Sequence, residues 1–210
     1  MRAPLLLYLG SAAEALPLVA AAIVRGPQRG ARLWILAWCG VMVCCDILSF
    51  WTAYHSMRNI WIGYLATVAG ALVLWGFSNW QQSATERLTL QVAAFLFLAV
   101  WVILTAVFDN LSLPSRASTP MANTVCLLAA AYTLLARSLR SREDLMHQDW
   151  FWVSAGVAFY FGIWSAMDLM RALLLGRNLA LWLALNQIGF AVNILPWLAI
   201  ARGVTCRAET

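Results

Sequence analysis

Seven separate apolar stretches, each about as long as a lipid bilayer is thick, occupy nearly all of this 210-residue chain. A helix needs about 20 apolar residues to cross the hydrocarbon core of a bilayer. Hydrophobic residues make up 63% of the chain and charged residues only 11%, a composition that excludes a water-soluble globule. The sequence therefore predicts an all-α membrane protein with one transmembrane domain over residues 1–210. The predicted spans are Pro4 to Val24, Leu33 to Ala53, Ile60 to Ser78, Leu88 to Phe108, Met121 to Leu139, Trp150 to Leu173 and Leu179 to Ala201.

The basic residues predict how these spans are inserted. Nine arginines flank one side of the spans and five flank the other. The nine are Arg25, Arg29, Arg32, Arg87, Arg137, Arg140, Arg142, Arg202 and Arg207. Basic residues are retained on the cytoplasmic side, so we expect the amino terminus outside and the carboxyl terminus in the cytoplasm of a bacterial inner (plasma) membrane. This asymmetry accounts for most of the net charge of +5, and we expect the lipid bilayer, not nucleic acid, as the partner.

Three acidic residues, Glu14, Asp46 and Asp168, lie inside the predicted spans. An ionised carboxylate in hydrocarbon is costly and by default faces the bundle interior or a watery cavity. At about 1.5 Å per helical residue, these acids, together with Asn186 and Gln187, converge on the outer leaflet. The sequence therefore predicts one polar pocket that opens toward the outside.

Helical spacing indicates which side chains share a face with the acids. Ser49 lies three residues from Asp46, and Asn193 continues a polar and aromatic stripe on the seventh span. The predicted pocket is lined by Glu14, Asp46, Ser49, Tyr64, Asn186, Gln187 and Asn193. Asp168 and Arg171, also three apart, predict a surface ion pair, and such a pair needs no function. Amides inside a membrane often serve only to join helices, so packing is the alternative for the stripe.

Metal and cofactor chemistry has little support in the sequence. The chain has five cysteines and two histidines, and His55 and His147 fall at opposite membrane faces, so a zinc site of several histidines is not expected. The chain has no lysine, so it lacks the residue on which rhodopsins hold retinal. No motif names a cofactor or a catalytic residue.

An internal similarity predicts a parallel repeat. Asp46 recurs as Asp168 and Trp75 as Trp197, both at a separation of 122 residues. The predicted arrangement is two half-repeats, 1–80 and 119–202, joined by a linker helix over 88–108. Parallel repeats are a known transporter design with the substrate at the repeat interface.

Several short stretches carry a family resemblance. Asp46-Ile-Leu-Ser-Phe50 and Arg58-Asn-Ile-Trp-Ile62, with the later Leu181-Trp-Leu183 and Asn193-Ile-Leu195, resemble a family of small bacterial seven-helix membrane proteins of unassigned function. Its members carry a histidine shortly after the first of these tryptophans and a glutamate deeper in the third helix, whereas this chain has Tyr64 and no acid there. The resemblance implies the helix count and no reaction.

Three functional hypotheses fit the sequence. The first is a sensor, receptor or transporter that binds a small polar or lipid ligand in the outer pocket. The second is an accessory subunit that assembles with partner membrane subunits. The third is a membrane-embedded lipid hydrolase in which Glu14 and Asp46 act as an acid and base pair on water.

Overall fold

The computed structural model describes residues 5–24, 28–55, 57, 59–141, 144–174 and 177–206. Within those ranges it is all-helical and has seven segments that are long and apolar enough to cross a membrane, which confirms the predicted class and number of spans. The helices are α1 (Leu5–Ala13) and α2 (Leu16–Ile23) in the first span, α3 (Ala31–Tyr54) in the second, α4 (Ile60–Val68) and α5 (Gly70–Trp80) in the third, α6 (Ala84–Val107) in the fourth, α7 (Ser118–Arg140) in the fifth, α8 (Asp149–Leu174) in the sixth, and α9 (Leu179–Val192) and α10 (Ile194–Thr205) in the seventh.

The first, third and seventh spans are each broken in the middle. Proline lacks a backbone N–H and disrupts the helical hydrogen bonds around it, and Pro17 and Pro196 lie in the first turns of α2 and α10. Glu14 lies between α1 and α2, and Asn193 lies between α9 and α10. Two polar residues that the sequence places inside the membrane therefore lie at helix breaks.

Helices α8 and α10 pack closely through two glycines. A Cβ atom added at Gly156 would lie 2.7 Å from the Pro196 carbonyl oxygen, and one added at Gly203 would lie 2.9 Å from the Asp149 carbonyl oxygen. Small residues allow helix backbones to approach in this way in membranes. The glycines hold α10 against the sixth span, while α2 packs on the other side of α10.

One end of the bundle, which we call the basic end, contains Arg32, Trp80, Arg137 and Asp149. Arg32 Nε donates to Asp149 Oδ2 at 2.8 Å, and both side chains are buried. The Arg32 guanidinium also donates to the carbonyl oxygens of Val204 and Cys206, at 3.4 and 2.7 Å. These bonds join the second, sixth and seventh spans and close the bundle at this end.

Arg137 makes a second connection at the basic end. Its guanidinium donates to the Trp80 carbonyl oxygen and lies 5.1 Å from the ring centroid of Trp150. It thereby joins the fifth span to the third and the sixth. The opposite end, which we call the cavity end, contains Tyr54, Asn110 and Asn178.

Three aromatic rings occupy the middle of the bundle, with Trp38 and Trp197 stacked on each other and Tyr160 edge to face with both. The Trp38 ring centroid lies 5.2 Å from that of Trp197 and 5.4 Å from that of Tyr160, and Tyr160 and Trp197 are 5.1 Å apart. Trp38 and Trp197 are almost completely buried. This aromatic floor, formed by Trp38, Tyr160 and Trp197, separates the closed basic end from the space above it.

Candidate functional site

The largest cavity beside the predicted polar residues lies between the first, second, sixth and seventh spans. It has a volume of about 840 Å³, and four of the predicted pocket residues line it, namely Glu14, Asp46, Ser49 and Asn193. Cavities that bind small molecules typically measure about 300–1,000 Å³. We call this space the acidic cavity.

Glu14 reaches the acidic cavity from the break in the first span. The chain tightens there, because the Glu14 and Ala15 N–H groups donate to the carbonyl oxygens of Ser11 and Ala12, both at 3.2 Å. Glu14 is only 6% exposed. Its Oε2 has no hydrogen-bond partner among the described residues. Burying a polar atom without a hydrogen bond costs free energy unless the atom is neutralised or gains a partner.

Asp46 faces the same space from α3. It lines the cavity together with Glu14 and Ser11 of the first span. Ser49 lies one turn nearer the cavity end, where its carbonyl oxygen accepts a 3.4 Å bond from Asn59 Nδ2. The two acids thus share one cavity wall, as neighbouring first and second spans allow.

Aromatic rings surround the acids on the side of the cavity end. Tyr8 stacks on Phe50 with ring centroids 5.3 Å apart, which joins the first and second spans. Across the cavity, Trp164 contacts Phe190 edge to face at 5.7 Å, which joins the sixth and seventh spans. Tyr160 of the aromatic floor also lines the cavity. A ligand approaching the carboxylates from the cavity end therefore passes between aromatic walls.

Asn193 supplies an amide at the deep side of the acidic cavity. Asn193 directly follows α9, at the break in the seventh span, and is 2% exposed. Its Oδ1, like Glu14 Oε2, has no partner among the residues that the structure describes. Two residues at helix breaks therefore line one cavity, and each has a buried side-chain oxygen without a bond from the described protein.

A smaller cavity of about 270 Å³ lies on the other side of Tyr160 and Trp164, which line both spaces. Asp168 faces this second cavity and accepts a 2.9 Å bond from Asn123 Nδ2. Asp168 Oδ1 also lies 3.0 Å from the Arg171 guanidinium, and the Asp168 side chain is 14% exposed. Arg171 in turn donates to the Ser115 carbonyl oxygen at 3.1 Å. The expected ion pair is therefore partly buried and linked to the fifth span, rather than placed on the surface.

Three residues of the predicted pocket lie elsewhere. Tyr64 is on the third span, and its hydroxyl donates to the carbonyl oxygens of Asn110 and Leu113 at 3.2 and 3.1 Å, so it fixes a loop and does not line the acidic cavity. Asn186 and Gln187 line a shallow space of about 190 Å³ behind Phe190, and Asn186 also borders the second cavity. The rotation of α9 turns both amides away from Glu14.

Sequence reasoning missed Ser11, Tyr160 and Trp164. The signal for the last two was present, because Tyr160, Trp164 and Asp168 follow one another at intervals of four and so lie on one helix face. Ser11 lies three residues before Glu14 in the same way. Among the described residues, no group of three or more His, Cys, Asp or Glu side chains is placed to hold a metal ion.

No protein-family model, curated protein or solved structure matches this chain.

Proposed function

We propose that this multi-pass membrane protein binds a small polar or lipid ligand in the acidic cavity and acts as a sensor, receptor or transporter. The single observation that carries the proposal is Glu14, a buried residue that lines a large cavity and whose Oε2 has no hydrogen-bond partner among the described residues. An acid with a purely structural role is normally paired or hydrogen-bonded when buried. Here a ligand would supply the missing partner.

The distribution of arginine supports an outward-facing cavity. Six of the described arginines lie at the basic end, whereas Arg116, Arg171 and Arg177 lie at the cavity end. The six are Arg29, Arg32, Arg87, Arg137, Arg140 and Arg202. By the positive-inside rule, the basic end faces the cytoplasm of the bacterial inner membrane, and the acidic cavity opens to the outside.

The broken helices favour a protein that changes shape around its ligand. Transporters place substrate sites at discontinuous helices near the middle of the bilayer, and Glu14 and Asn193 are at such breaks. Backbone groups freed at a break are tolerated where they line a cavity. This arrangement supports a sensor or transporter over an assembly subunit without a site of its own.

The test is purification in a maltoside detergent followed by mass spectrometry of every molecule that copurifies. We expect a small molecule or lipid with the wild type and its loss from the Glu14→Gln, Asp46→Asn double variant. Glu86→Gln is the matched control, because Glu86 pairs with Arg140 at 2.6 Å far from the cavity, and it should retain the ligand.

Other outcomes would contradict the proposal. A partner protein retained by wild type and double variant alike, with no small molecule in either, would identify an assembly subunit. A lipid converted to products by the wild type alone would identify the hydrolase.

A further inference from the structure

We infer that the ligand of the acidic cavity is an organic cation that carries an alkylated ammonium group. This inference rests on the proposed binding function and names the chemical class of its ligand. It is drawn from the charge, the burial and the ring surfaces of the cavity.

Two carboxyl groups line the cavity, and no basic side chain among the described lining residues balances them. Glu14 and Asp46 both line it, and no arginine or histidine does so among the described lining residues. Two of the described arginines are already engaged elsewhere, since Arg32 binds Asp149 at 2.8 Å and Arg171 binds Asp168 at 3.0 Å. A cation in the cavity would therefore meet attraction and no competing positive group from these walls.

Glu14 is the residue at which we expect the cation to bind. Its side chain lies more than nine-tenths buried, and Oε2 has no bond from the described protein. An ammonium group placed there would restore the pairing that a buried carboxylate requires. The second acid, Asp46, lines the same cavity together with Ser11.

The ring surfaces select the kind of cation. Six aromatic side chains line the cavity, namely Tyr8, Phe50, Tyr54, Tyr160, Trp164 and Phe190. A cation held against the faces of such rings is stabilised by their quadrupoles, and quaternary ammonium groups are the usual ligands of aromatic cages. A bare metal ion would instead need several more oxygen ligands. The combination of carboxylates and rings in about 840 Å³ therefore fits an alkylated ammonium better than an inorganic ion.

The experiment compares choline with 3,3-dimethylbutan-1-ol, its uncharged isostere, by isothermal titration calorimetry on the full chain in maltoside detergent. The isostere has the same shape and lacks the charge. We expect choline to bind with a Kd below about 1 mM and the isostere to bind at least about tenfold more weakly. Dihexanoylphosphatidylcholine and dihexanoylglycerol, titrated alongside, distinguish a lipid headgroup from a free cation as the source of the ammonium.

Variants locate the binding. Glu14→Gln should weaken choline binding about tenfold or more, and Trp164→Leu should weaken it roughly threefold or more while Trp164→Phe retains most of it. Glu86→Gln should bind as the wild type does. If Glu14→Gln fails to fold, choline binding is compared instead in Asp46→Asn and in the two variants Trp164→Leu and Trp164→Phe.

Two results would overturn the inference and leave the proposed function standing. One is equal binding of choline and its isostere. The other is a neutral or anionic molecule that copurifies with the wild type and is lost from the double variant. Failure of choline, tetramethylammonium and dihexanoylphosphatidylcholine to bind at all would also overturn the ligand class. Failure of the binding function itself would show separately, as the absence of any copurifying small molecule.

Discussion

The buried charged residues at the two ends of this bundle differ in their hydrogen-bond partners. At the basic end, Arg32 is paired with Asp149 at 2.8 Å and with the Cys206 carbonyl oxygen at 2.7 Å. At the acidic cavity, oxygens of Glu14 and Asn193 are buried and lack such bonds from the described residues. Satisfied polar groups stabilise one arrangement, whereas unsatisfied groups beside a void favour whatever binds there. The contrast indicates that the Arg32 and Asp149 pair stabilises the basic end, and it agrees with the binding role that we propose for the acidic cavity.

The largest expected effect is at the Arg32 and Asp149 pair. Asp149→Ala leaves the Arg32 charge buried without its carboxylate, and we expect a loss of about 3–5 kcal/mol of unfolding free energy. The measurement is thermal unfolding in maltoside detergent. The Arg32→Met, Asp149→Leu double variant removes both charges and should recover most of the loss. Wild-type stability of the single variant would contradict the proposed role of the basic end.

The glycine contact between α8 and α10 gives the next effect. In Gly156→Ala the new Cβ would lie 2.7 Å from the Pro196 carbonyl oxygen, so the helices must separate at a cost of about 1–3 kcal/mol. Gly40→Ala is the matched control, because a Cβ there meets nothing within 4 Å. Equal unfolding temperatures for the two variants would show that α10 is not held closely at this point.

A smaller loss is expected from Asp109→Asn in the loop before α7. Burial acts to raise the pKa of Asp109, but hydrogen bonds from Ser118, from the backbone N–H of Arg116 and from Ser115 hold the pKa of the carboxyl well below its usual range. The charged form therefore stabilises the fold above the unfolded pKa of about 3.9, and that contribution is lost as the pH falls below it. We expect the variant to lose about 1–2 kcal/mol at neutral pH.

The measurement for Asp109 is unfolding of wild type and variant between neutral and acidic pH. The difference between the two proteins should shrink as the solution is acidified. A difference that stays constant with pH would contradict the role of the charged carboxylate. A difference that shrinks would also show that the charged Asp109 carboxylate anchors the loop before α7.

The smallest stability effect is expected at Glu14 itself. Glu14→Gln removes a charge that has no described partner on Oε2, so we expect the ligand-free protein to be unchanged or stabilised by up to about 1 kcal/mol. Ligand binding should nevertheless be lost. Unfolding of ligand-free protein checks this, and a loss comparable to that of Asp149→Ala would remove the distinction between the two ends.

Hydropathy predicted the spans well because the bilayer imposes one length on every helix. The second span, predicted over Leu33 to Ala53, is Ala31–Tyr54, and the fourth, predicted over Leu88 to Phe108, is Ala84–Val107. The residual shifts arise because polar residues at helix ends, such as Arg32, also adopt helical conformation. Insertion direction and the 3+1+3 repeat of half-repeats 1–80 and 119–202 stay predictions.

The site was predicted less completely than the spans. Depth along a helix follows from residue counting, so Glu14 and Asp46 were predicted to converge on one leaflet. Rotation about the helix axis does not follow from counting, because it depends on which neighbours each face packs against. Tyr64 was therefore assigned to the pocket although its hydroxyl bonds the loop at Asn110. Asn186 and Gln187 were misplaced for the same reason.

The aromatic floor has an electrical consequence. An ion leaving the acidic cavity toward the basic end would have to part the Trp38, Tyr160 and Trp197 rings, whose centroids are only 5.1–5.4 Å apart. Tightly packed apolar constrictions stop conduction because water cannot fill them. We therefore expect the bundle to carry no leak current in this conformation. Any passage of cargo between its two ends requires these three rings to separate.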